Sequence, residues 1–408
     1  MSEHRDTTLL ILLVGSNPLP NYLSACALRP SRIALVYTEE TKDAKERLKT
    51  QLRRALGEDL GIAESFVEDA TCATTVRRAV DALLSGGEDP GAPPNEVLLN
   101  YTGGTKVMAT HARIAFLKSH GKPENASYLD EGGKNRQPQV RFDDGRRQLL
   151  SEYSHVPLDL RTILSLHGIQ HTPREPKEPA PTPEDTREIL CKVLEDVPMA
   201  AALYCERGRL EEYNNPKNVV AAPFRAERYG LTLSQHLFPT DEQLSRLANG
   251  EKRRSWFKQW CKFIGGEWLE DWVGMQIRAL TLEPTPEITI GVNAYRGPEK
   301  VQLEVDVGVV RGYRSYFISC TTATTKDICK GKLFEIAVRS RQLGGDLARA
   351  ALVCLASDDT VSALQADIDD VWGASNTTTV FGLSEIRGWS DCGGKVRDRH
   401  SLKTWLES

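Results

Sequence analysis

The chain has 408 residues, of which 40% are hydrophobic and 26% charged. That is too long for one ordinary domain and indicates roughly two or three, each able to bury a core. The net charge of −4 excludes a strongly basic nucleic-acid scaffold, although a local basic groove stays possible. Reading from the start, Thr8 to Val14 is a buried strand ending in Gly15-Ser16-Asn17-Pro18. Its apolar part is too short to cross a bilayer and lacks the flanks of a signal peptide, so a soluble, cytoplasmic chain without membrane contact is expected. Arg32 to Tyr37 is a second strand, followed by a charged helix over about Lys42 to Leu56. A short strand at Ser65 to Glu68 and a helix over Thr74 to Ser85 come next. Glu96 to Asn100, Ala126 to Leu129 and a hairpin over Val140 to Leu150 complete the strands of this part, with a helix from Thr105 to Ser119. Strands alternating with helices imply a parallel sheet covered on both faces.

His167 to Thr186 holds five prolines among many charges and reads as an extended linker. Helices are expected near Thr186–Leu194 and Asp241–Ala248. From Gly265 the pattern is a helix to Leu280, strands at Ile288–Val292, Gln302–Val310 and Ser315–Cys320, and a helix over Thr325–Leu343. Strands at Ala350–Cys354 and Thr378–Phe381 follow. The expected fold class is α/β: a Rossmann-like domain over residues 1–165, a linker and helical connector over 166–255, and a second α/β domain over 256–408. Cys26, Cys72, Cys191, Cys205, Cys261, Cys320, Cys329, Cys354 and Cys392 include no C-x-x-C pair, and reduced, mostly buried thiols are expected.

Two constellations carry chemistry. In the first, Tyr101-Thr102-Gly103-Gly104-Thr105-Lys106 links a buried strand to a helix. Glycines let backbone N–H groups approach an anion, and the helix N-terminus adds partial positive charge. Thr102, Thr105 and Lys106 offer hydroxyls and a cation, and Gly15, Ser16 and Asn17 line the same carboxyl edge of the sheet. The bland reading is a tight turn with a capping threonine. In the second, Glu304 and Asp306 alternate on one strand face, with Glu270 on the preceding helix. Carboxylates that converge suit Mg or Mn, hard ions that activate water at a phosphodiester.

The stretch Asn100 to Lys106, with Gly15-Ser16-Asn17, resembles the T-G-G-T-K motif of CARF domains, the CRISPR-associated Rossmann-fold sensors. The resemblance covers about residues 1 to 150. It implies a homodimer that binds a cyclic oligoadenylate, cyclic tetra-adenylate, through Gly15, Ser16, Asn17, Thr102, Gly103, Gly104, Thr105 and Lys106. Residues 255 to 400, through Gly265–Glu270, Leu303–Val307 and Phe317–Thr321, resemble the PD-(D/E)xK nuclease half of CARF-fused CRISPR nucleases. That resemblance implies a type III CRISPR ancillary nuclease acting on DNA or RNA. Asp306 is its leading metal ligand, Glu304 stands beside it, and Glu270 is a supporting carboxylate. The E-x-K triplet is here Ser319-Cys320-Thr321, without acid or lysine. Glu335 on the following helix is expected to replace the acid as a metal ligand. Lys326, Lys330 or Lys332 is expected to replace the lysine, with Lys326 preferred for its place near the helix start. A binding protein with an inactive nuclease fold, and a sensor domain that cleaves its own ligand, are the alternatives.

Trp256, Trp260, Trp268 and Trp272 recur at helical spacing and read as core anchors rather than base-stacking residues. Lys252-Arg253-Arg254 and Arg339, Arg341 and Arg349 suit either a nucleic-acid backbone or a solvated helix face.

Overall fold

The apolar run that opens the chain needs cover on both faces, and the fold provides it. The computed structural model describes residues 8–85, 95–119, 122–132, 137–153, 156–172, 174, 180–204, 229–233, 262–296, 301–372, 377–394 and 397–408. The expected helix at Asp241–Ala248, Trp256, Trp260, the run Lys252–Arg254, Cys205 and Cys261 lie outside these residues.

Parallel strands β1 (Thr8–Leu13), β2 (Arg32–Tyr37), β3 (Gly61–Phe66), β4 (Glu96–Asn100) and β5 (Ala126–Asp130) join the antiparallel β6 (Gln139–Phe142) and β7 (Arg147–Leu149). The order is β3-β2-β1-β4-β5-β6-β7. Leu10, Leu12 and Val14 pack against helices α1 (Leu19–Leu28) and α2 (Lys42–Leu56). Leu9, Ile11 and Leu13 pack against α3 (Ala73–Leu84) and α4 (Lys106–Ser119). Each such side chain, fully buried, contributes roughly 1.5–3 kcal/mol. Helix α1 has no counterpart in the sequence reading. It is buried almost all round, so its residues carry no amphipathic period to detect. Strand β3 starts four residues before the expected Ser65. It is an edge strand whose alternation includes Glu64 and Ser65, so its apolar signal is weak.

The second sheet is built from β8 (Gln170–Thr172), β9 (Glu287–Arg296), β10 (Val301–Arg311), β11 (Arg314–Thr321), β12 (Arg349–Cys354) and β13 (Thr378–Phe381). Its order is β13-β12-β11-β10-β9-β8, with β11, β12 and β13 parallel and the remaining pairs antiparallel. One face packs on α6 (Pro183–Glu195), α7 (Trp268–Arg278), α10 (Leu383–Trp389) and α11 (His400–Glu407). The other packs on α5 (Leu160–Leu166), α8 (Lys326–Gly344) and α9 (Asp358–Trp372). Trp268 is fully buried and Trp272 stacks on Trp389, so these two tryptophans are core anchors as expected.

Three readings of the sequence are corrected. The helix expected from Gly265 begins as a π turn over Phe263–Glu267, where Gly266 has φ 150°. The segment expected as an extended linker begins as strand β8, paired with β9, because proline and charge content says nothing about edge pairing. Cys191 and Cys392 form a disulfide between α6 and the turn after α10, a pairing their sequence separation hides. Cys26, Cys72, Cys320, Cys329 and Cys354 are free thiols.

The chain passes from one core to the other between Val156, in the first, and Leu160, in the second. Further contacts hold the two sheets together. Tyr22 donates to the Pro157 carbonyl at 2.6 Å and Arg47 Nε to the Leu166 carbonyl at 2.8 Å. Leu347, just after α8, is buried in the first core, which also holds Leu129 and Leu150. Among the described residues, no helix is long and apolar enough to cross a membrane.

Candidate functional sites

The order β3-β2-β1-β4-β5 places the loops after β1 and β4 side by side. Strand β1 pairs with β2 on one flank and β4 on the other, which is the topological switch point where open α/β sheets bind ligands. The loops touch there: a Cβ on Gly15 would lie 3.1 Å from the Gly104 nitrogen. Gly103 is packed harder still. A Cβ on it would fall 1.9 Å from the Leu13 carbonyl oxygen, so glycine is required by the backbone of β1 itself. Gly104 has φ +75°, where a side chain is strained.

The loop is fixed from within by side chains that the sequence reading did not single out. Asn100, fully buried, accepts from the Thr102 hydroxyl at 2.7 Å and from its N–H at 3.3 Å. The Thr102 oxygen in turn accepts from the Leu129 N–H at 2.6 Å. Thr105 accepts from the Met108 N–H and donates to the Ala70 carbonyl, so it caps α4. Both hydroxyls expected to face a ligand therefore have intramolecular partners. Asn21, fully buried on α1, donates to the Leu13 carbonyl, and its Oδ1 stands beside Gly103. Tyr101 donates to Asp143, which also pairs with Arg113 at 2.6 Å. Burial and this bond raise the Tyr101 phenol above its ordinary range. Ser16, Gly104, Thr105 and Lys106 are exposed at the loop surface. The exposed groups are thus backbone, the hydroxyls of Ser16 and Thr105 and one ammonium at a helix N-terminus, a set suited to an anion.

Asn17 also looks toward the second sheet. Its Oδ1 accepts from the Leu19 N–H at 3.1 Å and lies 3.2 Å from His167 Nε2. A Cβ on Gly345, at the end of α8, would sit 3.1 Å from Asn17 Nδ2. Next to it, Glu131 at the end of β5 accepts from the Asp346 N–H at 2.9 Å. Burial raises the Glu131 carboxyl above the usual carboxylate range.

Along the middle of α8 lies the second site. Glu304, Asp306, Ser319, Lys332, Glu335, Ile336 and Arg339 line one cavity of about 170 Å³. Alternation along β10 aims Glu304 and Asp306 at it, and α8 delivers Lys332, Glu335 and Arg339 at helical spacing on one face. Asp306 Oδ2 accepts from the Ser319 hydroxyl at 3.0 Å and from the Cys320 N–H at 2.6 Å. Burial nevertheless holds its carboxyl above the usual range, against these bonds and the opposing pull of Lys332. Ser319, in the place of the missing acid, thus orients Asp306.

Asp306, Glu304 and Glu335 line one cavity, and two other residues expected at the site lie outside it. Lys326 is not at the cavity: with Lys330 it pairs with Asp367, at 3.2 and 2.9 Å. Four residues apart, those two share a helix face, whereas Lys332 shares the face of Glu335. Lys332 is the lysine that lines this cavity. Glu270 does not line the cavity either. Burial, and then the Asp306 charge, raise it well above the ordinary range. It is held by Arg174 at 2.5 Å, and the same guanidinium reaches Glu267 at 3.2 Å and Asp271 at 3.0 Å. Arg174 belongs to the segment read as a linker. Arg349 is buried against the Asp346 and Ala348 carbonyls, and Arg341 pairs with Asp346.

The carboxylate oxygens of the cavity are the hard donors Mg or Mn takes. Among the described residues, no three His, Cys, Asp or Glu side chains stand close enough together to hold an ion.

Residues 257–383 match the family described as Card1-like, endonuclease domain. Three solved structures resemble the whole chain. Can2 from Sulfobacillus thermosulfidooxidans, in complex with cyclic tetra-adenylate, matches with a TM-score of 0.62 at 19% identity, over 98% of this chain and 100% of that one. Protein VC1899 from Vibrio cholerae matches with a TM-score of 0.64 at 15% identity, over 98% of each. A type III CRISPR defence DNA nuclease activated by cyclic oligoadenylate matches with a TM-score of 0.51 at 16% identity, over 99% of this chain and 52% of that one. The fold of both modules, in this order, is the fold of these proteins. No curated protein sequence matches the chain significantly.

Proposed function

We propose that the chain is a nuclease of type III CRISPR defence, switched on by a cyclic oligoadenylate. The loops Gly15–Asn17 and Thr102–Lys106 bind cyclic tetra-adenylate across the two-fold axis of a homodimer. The second module then cuts phosphodiester bonds in DNA, RNA or both. The match of residues 257–383 to an endonuclease domain supports this reading, as do the relatives whose descriptions name the ligand and the activity. One observation carries it. The triplet Ser319-Cys320-Thr321 lacks the acid and the lysine, yet an acid and a lysine from α8, Glu335 and Lys332, line one cavity with Asp306 and Glu304.

Asp306, Glu304 and Glu335 are the residues to hold Mg or Mn. When bound, the ion polarises the scissile phosphodiester and lowers the pKa of an attacking water. Ser319 and the Cys320 N–H keep Asp306 oriented. Lys332 stabilises the charge that builds on the phosphate. The turn Gly345–Leu347 that follows α8 lies against Asn17 and Glu131 and buries Leu347 in the first core. A ligand that moves the Ser16–Asn17 loop therefore acts on the same helix that lines the acid cavity.

The test is cleavage of plasmid and single-stranded substrates with Mn, with and without cyclic tetra-adenylate. Cleavage that needs both, and is lost in Asp306→Ala, is expected. Unchanged cleavage in Asp306→Ala removes the site assignment, and no cleavage of any substrate leaves a non-catalytic binder.

A further inference from the structure

One of the two cations in the acid cavity is committed to a carboxylate that the reading above gives to the metal. Arg339 Nη2 stands 2.5 Å from Glu335 Oε1. Its Nη1 donates to the Glu304 carbonyl at 3.1 Å, on the strand that bears Asp306. A Glu four residues before an Arg is also an ordinary helix-stabilising pair. Two features exceed that role here. The pair lines the cavity with Asp306 and Lys332, and the guanidinium is anchored to a second element. A pair serving the helix alone needs neither.

We propose that Arg339 is a displaceable partner of Glu335: it holds this carboxylate until a divalent ion claims it, then turns its freed Nη2 edge to a phosphate of the nucleic acid. The inference rests on the metal-site reading above. Arg339 has the donors for both roles. A guanidinium carries five N–H groups in a fixed fork, so the bond to the Glu304 carbonyl can persist while the other edge changes partner. The exchange also balances charge. The carboxylate passes from one cation to another, and the released guanidinium meets the anion that enters with the substrate. No other contact of this side chain is needed for the change.

The proposal predicts opposite effects on two ligands, which a structural role does not. Mn binding to the full-length chain is measured by titration calorimetry at low salt, and KM and kcat with cyclic tetra-adenylate and Mn. Arg339→Ala should bind Mn about two- to fivefold more tightly, the range expected for removing a competing partly exposed ion pair. The same variant should raise KM about tenfold through loss of a charged phosphate contact. Arg339→Lys should restore part of the KM. In a Glu335→Gln background the Arg339→Ala change should leave Mn affinity unaltered. Unchanged or weaker Mn binding in Arg339→Ala overturns the proposal, as does a tightening that persists without Glu335. If Arg339→Ala does not fold, Arg339→Gln answers the same comparison. The parent reading is tested separately by wild type and Asp306→Asn. Mn binding by wild type that Asp306→Asn abolishes supports the metal site, and a flat Arg339 series then removes this inference alone. No Mn binding by wild type, or binding indifferent to Asp306, removes both.

Discussion

The two candidate sites both lie where a sheet meets a helix, the first at strand ends and the second along strand interiors, and they differ in how finished they are. The loop of the first sheet is made of backbone that has nowhere else to go. Gly103 is pressed on the Leu13 carbonyl, and the hydroxyls of Thr102 and Thr105 are bonded internally. The cavity of the second sheet has its groups assembled but turned to one another, Glu335 to Arg339 and Asp306 to Ser319. A backbone site is set by packing and is ready on folding. A side-chain site keeps its charges satisfied by neighbours until its ligands arrive, because an unpaired buried charge is costly. The first suits an input and the second suits a controlled output.

The sharpest way to break this comparison is Asp306→Asn. Cleavage should fall about 10²–10³-fold, the scale of losing a principal electrostatic group, while calorimetric binding of cyclic tetra-adenylate stays the same. A loss of both would mean that the two sites are one cooperative unit. Gly103→Ala does the reverse. The added methyl must displace β1 backbone, at about 1–3 kcal/mol, so binding of the cyclic ligand should weaken roughly 10- to 100-fold and denaturant unfolding should shift the same way. Equal affinity would show that the ligand does not use this loop. Next comes the choice of lysine. Lys332→Ala should lower kcat about tenfold or more, and Lys326→Ala, a partly exposed pair with Asp367, should change it less than about twofold. The opposite ranking would move the cation back to the helix start.

The smallest effect concerns the seam between the modules. Burial raises Glu131, so the folded chain holds that proton more tightly than the unfolded chain does. Its contribution to stability is full below the ordinary carboxylate range and is lost as pH rises through the raised value. Glu131→Gln keeps an acceptor for the Asp346 N–H and should flatten this part of the melting-temperature profile. A variant with the wild-type pH dependence would place the titration elsewhere.

Much of this was readable from the chain. Strand–glycine–helix at Asn100–Lys106 and the alternation at Glu304–Asp306 are local patterns, and local patterns report which face a residue occupies. Even the α8 trio was accessible in principle, since Lys332, Glu335 and Arg339 follow helical spacing. Position near the helix start favoured Lys326 instead, and nothing local says which face of a helix meets a strand far away in sequence. Asn21 and Asp143 carried no signal, because their roles depend on what packs against them. Arg174 was hidden by its surroundings, a run of prolines and charges that composition marks as unstructured.

The sequence by itself therefore determined the alternation of elements, the need for glycine at the first loop, and the strand face shared by Glu304 and Asp306. These follow from steric limits and periodicity within a few residues. Only the tertiary structure decided that Lys332 and not Lys326 joins Asp306, that Arg339 holds Glu335, and that α8 ends against Asn17 and Glu131. Those choices depend on how whole elements rotate and pack, and the energy that selects them is spread over the buried contacts of both cores rather than written at any one position.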